Sequence, residues 1–270
     1  MKRVKILFCF LVVLVVGLFV VGYKNIYADK QQTQIERLSY GQDYSQGMEI
    51  PAKSKNTPEL ILKRKAYTVS YNTKTLIPNW VAWKLKAEYV DGDIGRSNDF
   101  REDTGVPLPR ATKEDYRKSG WSRGHMFPAG DAKWDKQAMS ESFLLTNICP
   151  QDTRLNSGDW NEIEKACRLW AKKYGELYIV CGPLFYNTQH TTIGKNSVVV
   201  PEAFFKVVLR LQPQPKAIGF VCKNKSQNKT KDQYVNSVDE IERMTGIDFF
   251  PLLDDKVESV VESNADISEW

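Results

Sequence analysis

Trp121-Ser122-Arg123-Gly124-His125-Met126-Phe127-Pro128-Ala129-Gly130-Asp131 is the stretch from which the rest of the chain can be read. His125 is one of two histidines, the other being His190, so chemistry that needs an imidazole near neutral pH has few candidates. A histidine following Arg-Gly suits a strand end or a tight turn. Gly124 puts no side chain beside the imidazole, which would let a backbone or a phosphate come close. Arg123 brings a planar cation that matches phosphate oxygens two at a time. This grouping points to phosphodiester chemistry.

Working outward, two further segments complete the pattern: Asn147-Ile148-Cys149-Pro150-Gln151, and Leu155-Asn156-Ser157-Gly158-Asp159-Trp160-Asn161-Glu162-Ile163-Glu164. The Asn156 carboxamide offers a neutral oxygen, a donor that suits Mg2+, Mn2+ or Ca2+ better than Zn2+. Glu164 follows eight positions later, roughly 80° around a helix from Asn156, so both could border one site. Trp160, Ile163, Cys167 and Trp170 recur at helical spacing and predict that the same helix buries a stripe. Each residue also has a plain structural reading. His125 alone would be a satisfied core histidine, Asn156 a helix cap and Glu164 a solvated helix residue, while Asn147 either braces the site or satisfies a turn. It is their joint spacing that favours a site. Ser122 as a nucleophile paired with His125 is disfavoured, because close neighbours on an extended stretch tend to point apart.

Ser122-Arg123-Gly124-His125, Asn147-Ile148-Cys149-Pro150-Gln151 and Leu155-Asn156 with Trp160 and Glu164 resemble the DNA/RNA non-specific endonucleases. The likeness runs from about Tyr67 to Phe250. It takes in Asn79-Trp80-Val81-Ala82-Trp83, Gly182-Pro183-Leu184-Phe185, Pro201 with Phe204-Phe205-Lys206, and Ser237-Val238-Asp239-Glu240-Ile241-Glu242. The resemblance implies an α+β fold of the ββα-metal (His-Me finger) kind, a mainly antiparallel sheet flanked by helices. It further implies a metal-dependent endonuclease that hydrolyses DNA and RNA with little sequence preference and leaves 5′-phosphate ends. His125 would act as general base on the attacking water, Arg123 would steady the phosphate and Asn147 would support the site. Asn156 would be the protein's direct ligand to Mg2+, with Mn2+ as its substitute, and Glu164 would accept a hydrogen bond from water on the metal. One departure is visible: the family motif begins with aspartate where this chain has Ser122, so a neutral hydroxyl replaces a carboxylate. Ser122, together with a near-neutral domain charge, motivates the alternative of a non-catalytic nucleic-acid-binding surface protein on a decayed nuclease scaffold.

With 270 residues the chain can bury a full core, and one large α/β domain is favoured over two small ones. The net charge of +5 is mostly carried by Lys2, Arg3, Lys5 and Lys24; without them about +1 remains. Binding to nucleic acid would therefore need a local basic groove. A basic head followed by the apolar run Ile6 to Tyr23 predicts an export signal or membrane anchor within residues 1–28, hence an exported, periplasmic or secreted protein with possible membrane contact. Residues 29–57 read as a flexible linker, 58–254 as the nuclease domain and 255–270 as an acidic tail.

Within the domain, Tyr67 to Tyr71, Trp80 to Tyr89, Leu177 to Val180, Phe204 to Leu211 and Ala217 to Val221 predict strands, and Lys136 to Phe143 and Val238 to Met244 predict short helices. Arg96 and Arg101, in a polar loop, are candidates to reach substrate phosphates. Beyond Cys9 the cysteines are Cys149, Cys167, Cys181 and Cys222, and their apolar settings leave both disulfides and buried thiols open.

Overall fold

Strands rich in β-branched and aromatic residues build one seven-stranded sheet. In a computed structural model, which describes Gly47–Ser54 and Thr57–Trp270, every one of those residues belongs to a single unit, Asp43–Trp270. The first strands are β1 (Leu60–Lys63), β2 (Thr68–Asn72) and β3 (Ile77–Lys86). Two short strands follow, β4 (Ser122–His125) and β5 (Ile148–Gln151), and then β6 (Glu176–Leu184), β7 (Thr192–Ile193), β8 (Val198–Val199), β9 (Ala203–Arg210), β10 (Lys216–Lys223) and β11 (Val235–Asn236). The main sheet runs β1-β2-β3-β6-β9-β10-β11, with every neighbouring pair antiparallel.

Strand β9 lies near the middle of this sheet and is buried along its whole length. A strand covered on both faces reads as a continuous apolar run, and Ala203-Phe204-Phe205-Lys206-Val207-Val208-Leu209 does so except at Lys206. Alternate residues point to opposite faces. Phe204 thus meets Trp160 on one side, while Phe205 meets Phe249 on the other.

The helices are α1 (Ala87–Val90), α2 (Lys113–Tyr116), α3 (Lys136–Glu141), α4 (Thr153–Ser157), α5 (Asp159–Tyr174), α6 (Val238–Thr245) and α7 (Asp255–Glu262). The stripe Trp160, Ile163, Cys167 and Trp170 of α5 is buried as its spacing predicts, and α5 packs on β3 and β6. Helices α6 and α7 pack on β10. The loop after β10 is pinned from α5: Asp159 Oδ2 accepts from Tyr234 Oη at 2.6 Å, from Gln227 N at 3.0 Å and from Ser226 Oγ at 3.1 Å.

Several expectations change. The strand expected from Trp80 to Tyr89 starts earlier and stops at Lys86, where α1 begins. The acidic tail does not hang free. Val257, Val261 and Glu262 of α7 are buried, and Trp270 packs on Trp170 with ring centroids 5.0 Å apart. The end of the expected linker is docked as well: Met48 is buried, and Ala52 N donates to Asp248 O at 2.9 Å. The apolar run at residues 6–23 and the first part of the linker lie outside the described residues. Cys149, Cys167, Cys181 and Cys222 are free and buried, so the open choice between disulfides and thiols resolves as thiols.

Candidate active site

Strands β4 and β5 form a two-stranded ribbon separate from the main sheet, with Ser122 opposite Gln151, Gly124 opposite Cys149 and His125 opposite Ile148. The chain then enters α4 and α5, giving a strand-strand-helix unit whose parts converge on one cleft. His125 ends β4, as Arg-Gly-His suggests. The residue is 6% exposed, its ring packed against Phe100 and Phe143, which also touch each other, and its Nε2 has no hydrogen-bond partner. Burial, then the positive charges of Arg96 and Arg123, push its pKa down to about 3. The imidazole is therefore neutral at physiological pH, the form in which it can take a proton.

Gly124 has a different role from the one its sequence suggests. A Cβ there would lie 2.2 Å from Gln151 Oε1 and 2.6 Å from Gln151 Cβ, so the missing side chain makes room for the facing strand, not for a phosphate.

Asn156 and Glu164 do not share a helix. The chain breaks at Gly158, with φ −105° and ψ −104°, between α4 and α5. Helix α4 is fixed at its start, where the Asp152 side chain accepts from Leu155 N at 2.9 Å and Asp152 N donates to Asn224 Oδ1 at 2.8 Å. Asn156, in its last turn, donates from Nδ2 to Ser122 Oγ at 3.1 Å, and Ser122 Oγ donates to the Gln151 carbonyl at 2.8 Å. With its amide nitrogen so engaged, Asn156 has its Oδ1 left over for a cation. A hydroxyl where the family motif has a carboxylate thus still orients the asparagine.

Asn156 and Glu164 line a cleft of about 350 Å³ with Arg96, His125, Asn161 and Arg168. A second hollow of about 610 Å³ shares Arg96 and Asn156 and adds Lys113, Arg117, Ser122 and Arg123. Burial raises the Glu164 carboxyl to about 7 against the opposing pull of Lys206 and Arg168. Arg168 donates to Asp131 at 2.9 Å, and Asp131 also accepts from Trp83 Nε1 at 3.1 Å. Lys206, 1% exposed, places its ammonium 4.8 Å from the Trp83 ring and 4.7 Å from that of Trp160.

The named candidates therefore divide. His125, Arg96, Asn156 and Glu164 face the first cleft, and Arg123 faces the adjoining hollow with its guanidinium 4.1 Å above the Phe100 ring. Asn147 takes the bracing one of the two readings its sequence leaves open. It is fully buried, accepts from Phe127 N at 2.9 Å and donates to the carbonyls of Phe127 and Ser142 at 2.9 and 2.8 Å, so its amide has no donor left for substrate. Arg101 is corrected: its guanidinium is bound to Asp99 and to Ser140 O and Oγ, and lines neither hollow. His190 bonds Glu202 at 2.9 Å away from the cleft. Lys113, Arg117, Asn161, Arg168, Asp131 and Lys206 were not foreseen. Only the lone charge inside the apolar run of β9 could have signalled one of them.

The model of the DNA/RNA non-specific endonuclease family matches residues 43–256. The chain belongs to this family. It is 34% identical to human mitochondrial endonuclease G over 203 residues, covering 70% of this chain and 68% of that protein. It is 35% identical to Nuclease C1 of Cunninghamella echinulata var. echinulata over 72% of this chain and 83% of that one. Identity to the mouse mitochondrial nuclease EXOG is 38% over 70% of this chain, but only 56% of the mouse protein's length is spanned. A crystal structure of the EndoG/EndoGI complex aligns with a TM-score of 0.70 at 27% identity, covering 78% of this chain and 95% of that one, and the α+β expectation holds. Export does not hold: the mouse and human relatives are mitochondrial nucleases. No helix among the described residues is long and apolar enough to cross a membrane.

Proposed function

We propose that this protein is a divalent-metal-dependent nuclease that hydrolyses the phosphodiester backbone of DNA and RNA without sequence preference and leaves 5′-phosphate ends. The observation that carries the reading is the meeting, in one cleft, of a neutral unpartnered imidazole with an asparagine whose amide nitrogen is already spoken for.

A hard divalent ion fits this cleft, because Asn156 Oδ1 and the Glu164 carboxylate are oxygen donors with no thiolate or second imidazole beside them. Asn156 would hold Mg2+, or Mn2+ in its place, directly, and Glu164 would support the ion through water. When bound, such an ion supplies Lewis-acid stabilisation of the charge on phosphorus oxygens and on the leaving 3′ oxygen. Arg123 and Arg96 hold the scissile phosphate. His125 removes a proton from the attacking water. The same two arginines depress the His125 pKa, so an anionic phosphate docking on them cancels that effect and strengthens the base as substrate arrives. Contacts of this kind are to the backbone, which every sequence shares.

The test is cleavage of plasmid DNA and of RNA by the full chain in Mg2+ or EDTA, for wild type and His125→Ala. Metal-dependent cutting that disappears in the variant is expected. Wild-type protein that binds DNA equally with and without the metal and never cuts it would mean a binding protein.

A further inference from the structure

Away from the His125 cleft, the two helices that pack on β10 bring three carboxylates together. Asp239 and Glu242 stand three residues apart on α6, and Glu262 ends α7; one oxygen from each lies within 4.8 Å of the others. Glu262 is 3% exposed, and its Oε1 has no hydrogen-bond partner. Glu242 uses Oε1 to accept from Phe249 N at 2.7 Å, which fixes the side chain and leaves Oε2 over. The nearby cation does not serve the cluster: the Arg243 guanidinium pairs with Glu240. Among the described residues no lysine, arginine or histidine pairs with any of the three.

A buried carboxylate without a donor costs free energy unless a cation or a proton joins it. We infer that Asp239, Glu242 and Glu262 form a second divalent-cation site, of Ca2+ character, that fastens the C-terminal helix α7 to α6. All three ligands are hard anionic oxygens. Calcium takes most of its oxygen ligands from the protein in loose geometry, whereas Mg2+ keeps several waters and leans on one or two carboxylates, so three protein carboxylates in one cluster suit calcium. Glu258, one helical turn before Glu262, adds negative charge. In the ion's absence, burial and the mutual repulsion of Glu242, Glu258 and Asp239 push the Glu262 carboxyl up to about 9.

The experiment counts Ca2+ bound by the EDTA-stripped full chain at pH 8 by equilibrium dialysis, with thermal unfolding in parallel, for wild type, Asn156→Ala, Glu262→Gln and Asp239→Asn. The Asn156→Ala chain, lacking the ligand at the nuclease cleft, is expected to keep one Ca2+ and a rise in Tm of about 4 °C or more at saturation. Glu262→Gln and Asp239→Asn are expected to lose that ion and that rise while still cleaving DNA with Mg2+. Loss of all Ca2+ in Asn156→Ala, or an unchanged count and melting shift in both carboxylate variants, would overturn the inference. A cluster that merely shares a proton would give no shift in any chain, and overturns it equally.

Discussion

Ser122 accepts a hydrogen bond from one residue and donates to another, and this gives it a role in metal affinity. Ser122→Ala leaves the Asn156 amide free to turn, so the Mg2+ concentration for half-maximal cleavage is expected to rise about 10- to 100-fold with the fold unchanged by circular dichroism. A variant whose metal requirement matches wild type would show that α4 alone orients Asn156. His125 has a separate signature in stability. Its folded pKa, about 3, lies below the unfolded value near 6.5, so between these pH values the unfolded chain binds the extra proton. The stability contributed by the neutral ring is complete above pH 6.5 and is lost as pH falls toward 3. Urea unfolding at pH 7 and pH 4.5 is expected to show wild type losing a few kcal/mol more than His125→Gln over that interval; equal losses would mean the ring is not held neutral by burial.

At the scale of elements, the break at Gly158 decides the site. A Cβ at position 158 would lie 2.6 Å from the Arg154 carbonyl oxygen. Gly158→Ala is therefore expected to shift α4 against α5, lowering stability by about 2 kcal/mol and cleavage by a larger factor than stability alone explains. Unchanged cleavage would separate the break from catalysis. This is also where the sequence misleads. Helical spacing correctly marks Trp160, Ile163, Cys167 and Trp170, because a buried stripe follows the period of the helix. It cannot reveal that Asn156 sits on a different helix, since no periodic signal survives a break made by backbone angles at one glycine. His125 at a strand end was legible from Arg-Gly-His. The roles of Gly124 and Arg101 were not, because each depends on a distant partner, Gln151 across the ribbon and Ser140, and the partners that Asn147 braces, Phe127 and Ser142, were equally hidden.

For the whole molecule, the near-neutral domain charge gives way to a local one. Arg96, Lys113, Arg117 and Arg123 line one hollow beside the cleft, with Glu114 as the opposing charge. Charge clustered this way attracts a phosphate backbone that the net charge would not. Arg117→Glu is expected to weaken binding of DNA by the metal-free protein and make it less salt-dependent while folding is preserved. Unchanged affinity and salt slope would place the backbone elsewhere. Closure of the molecule at its C-terminus is equally global. Ending the chain at Asp254 removes Val257 and Val261 from β10 and Trp270 from Trp170, and is expected to lower Tm by about 10 °C; an unaltered melt would mean the last helix adds nothing to the core.

The lysine enclosed between Trp83 and Trp160 turns the interior of this protein into an optical gauge. An indole's emission wavelength depends on the electric field across its ring, and the ammonium of Lys206 sets that field from less than 5 Å on two indoles at once. Glu164 lies near enough to act on the same ammonium, so any change of charge at the cleft reaches two fluorophores that solvent does not touch. Cation binding at the cleft is therefore expected to shift the emission of these two of the seven tryptophans, a change read as the difference between wild type and Lys206→Met.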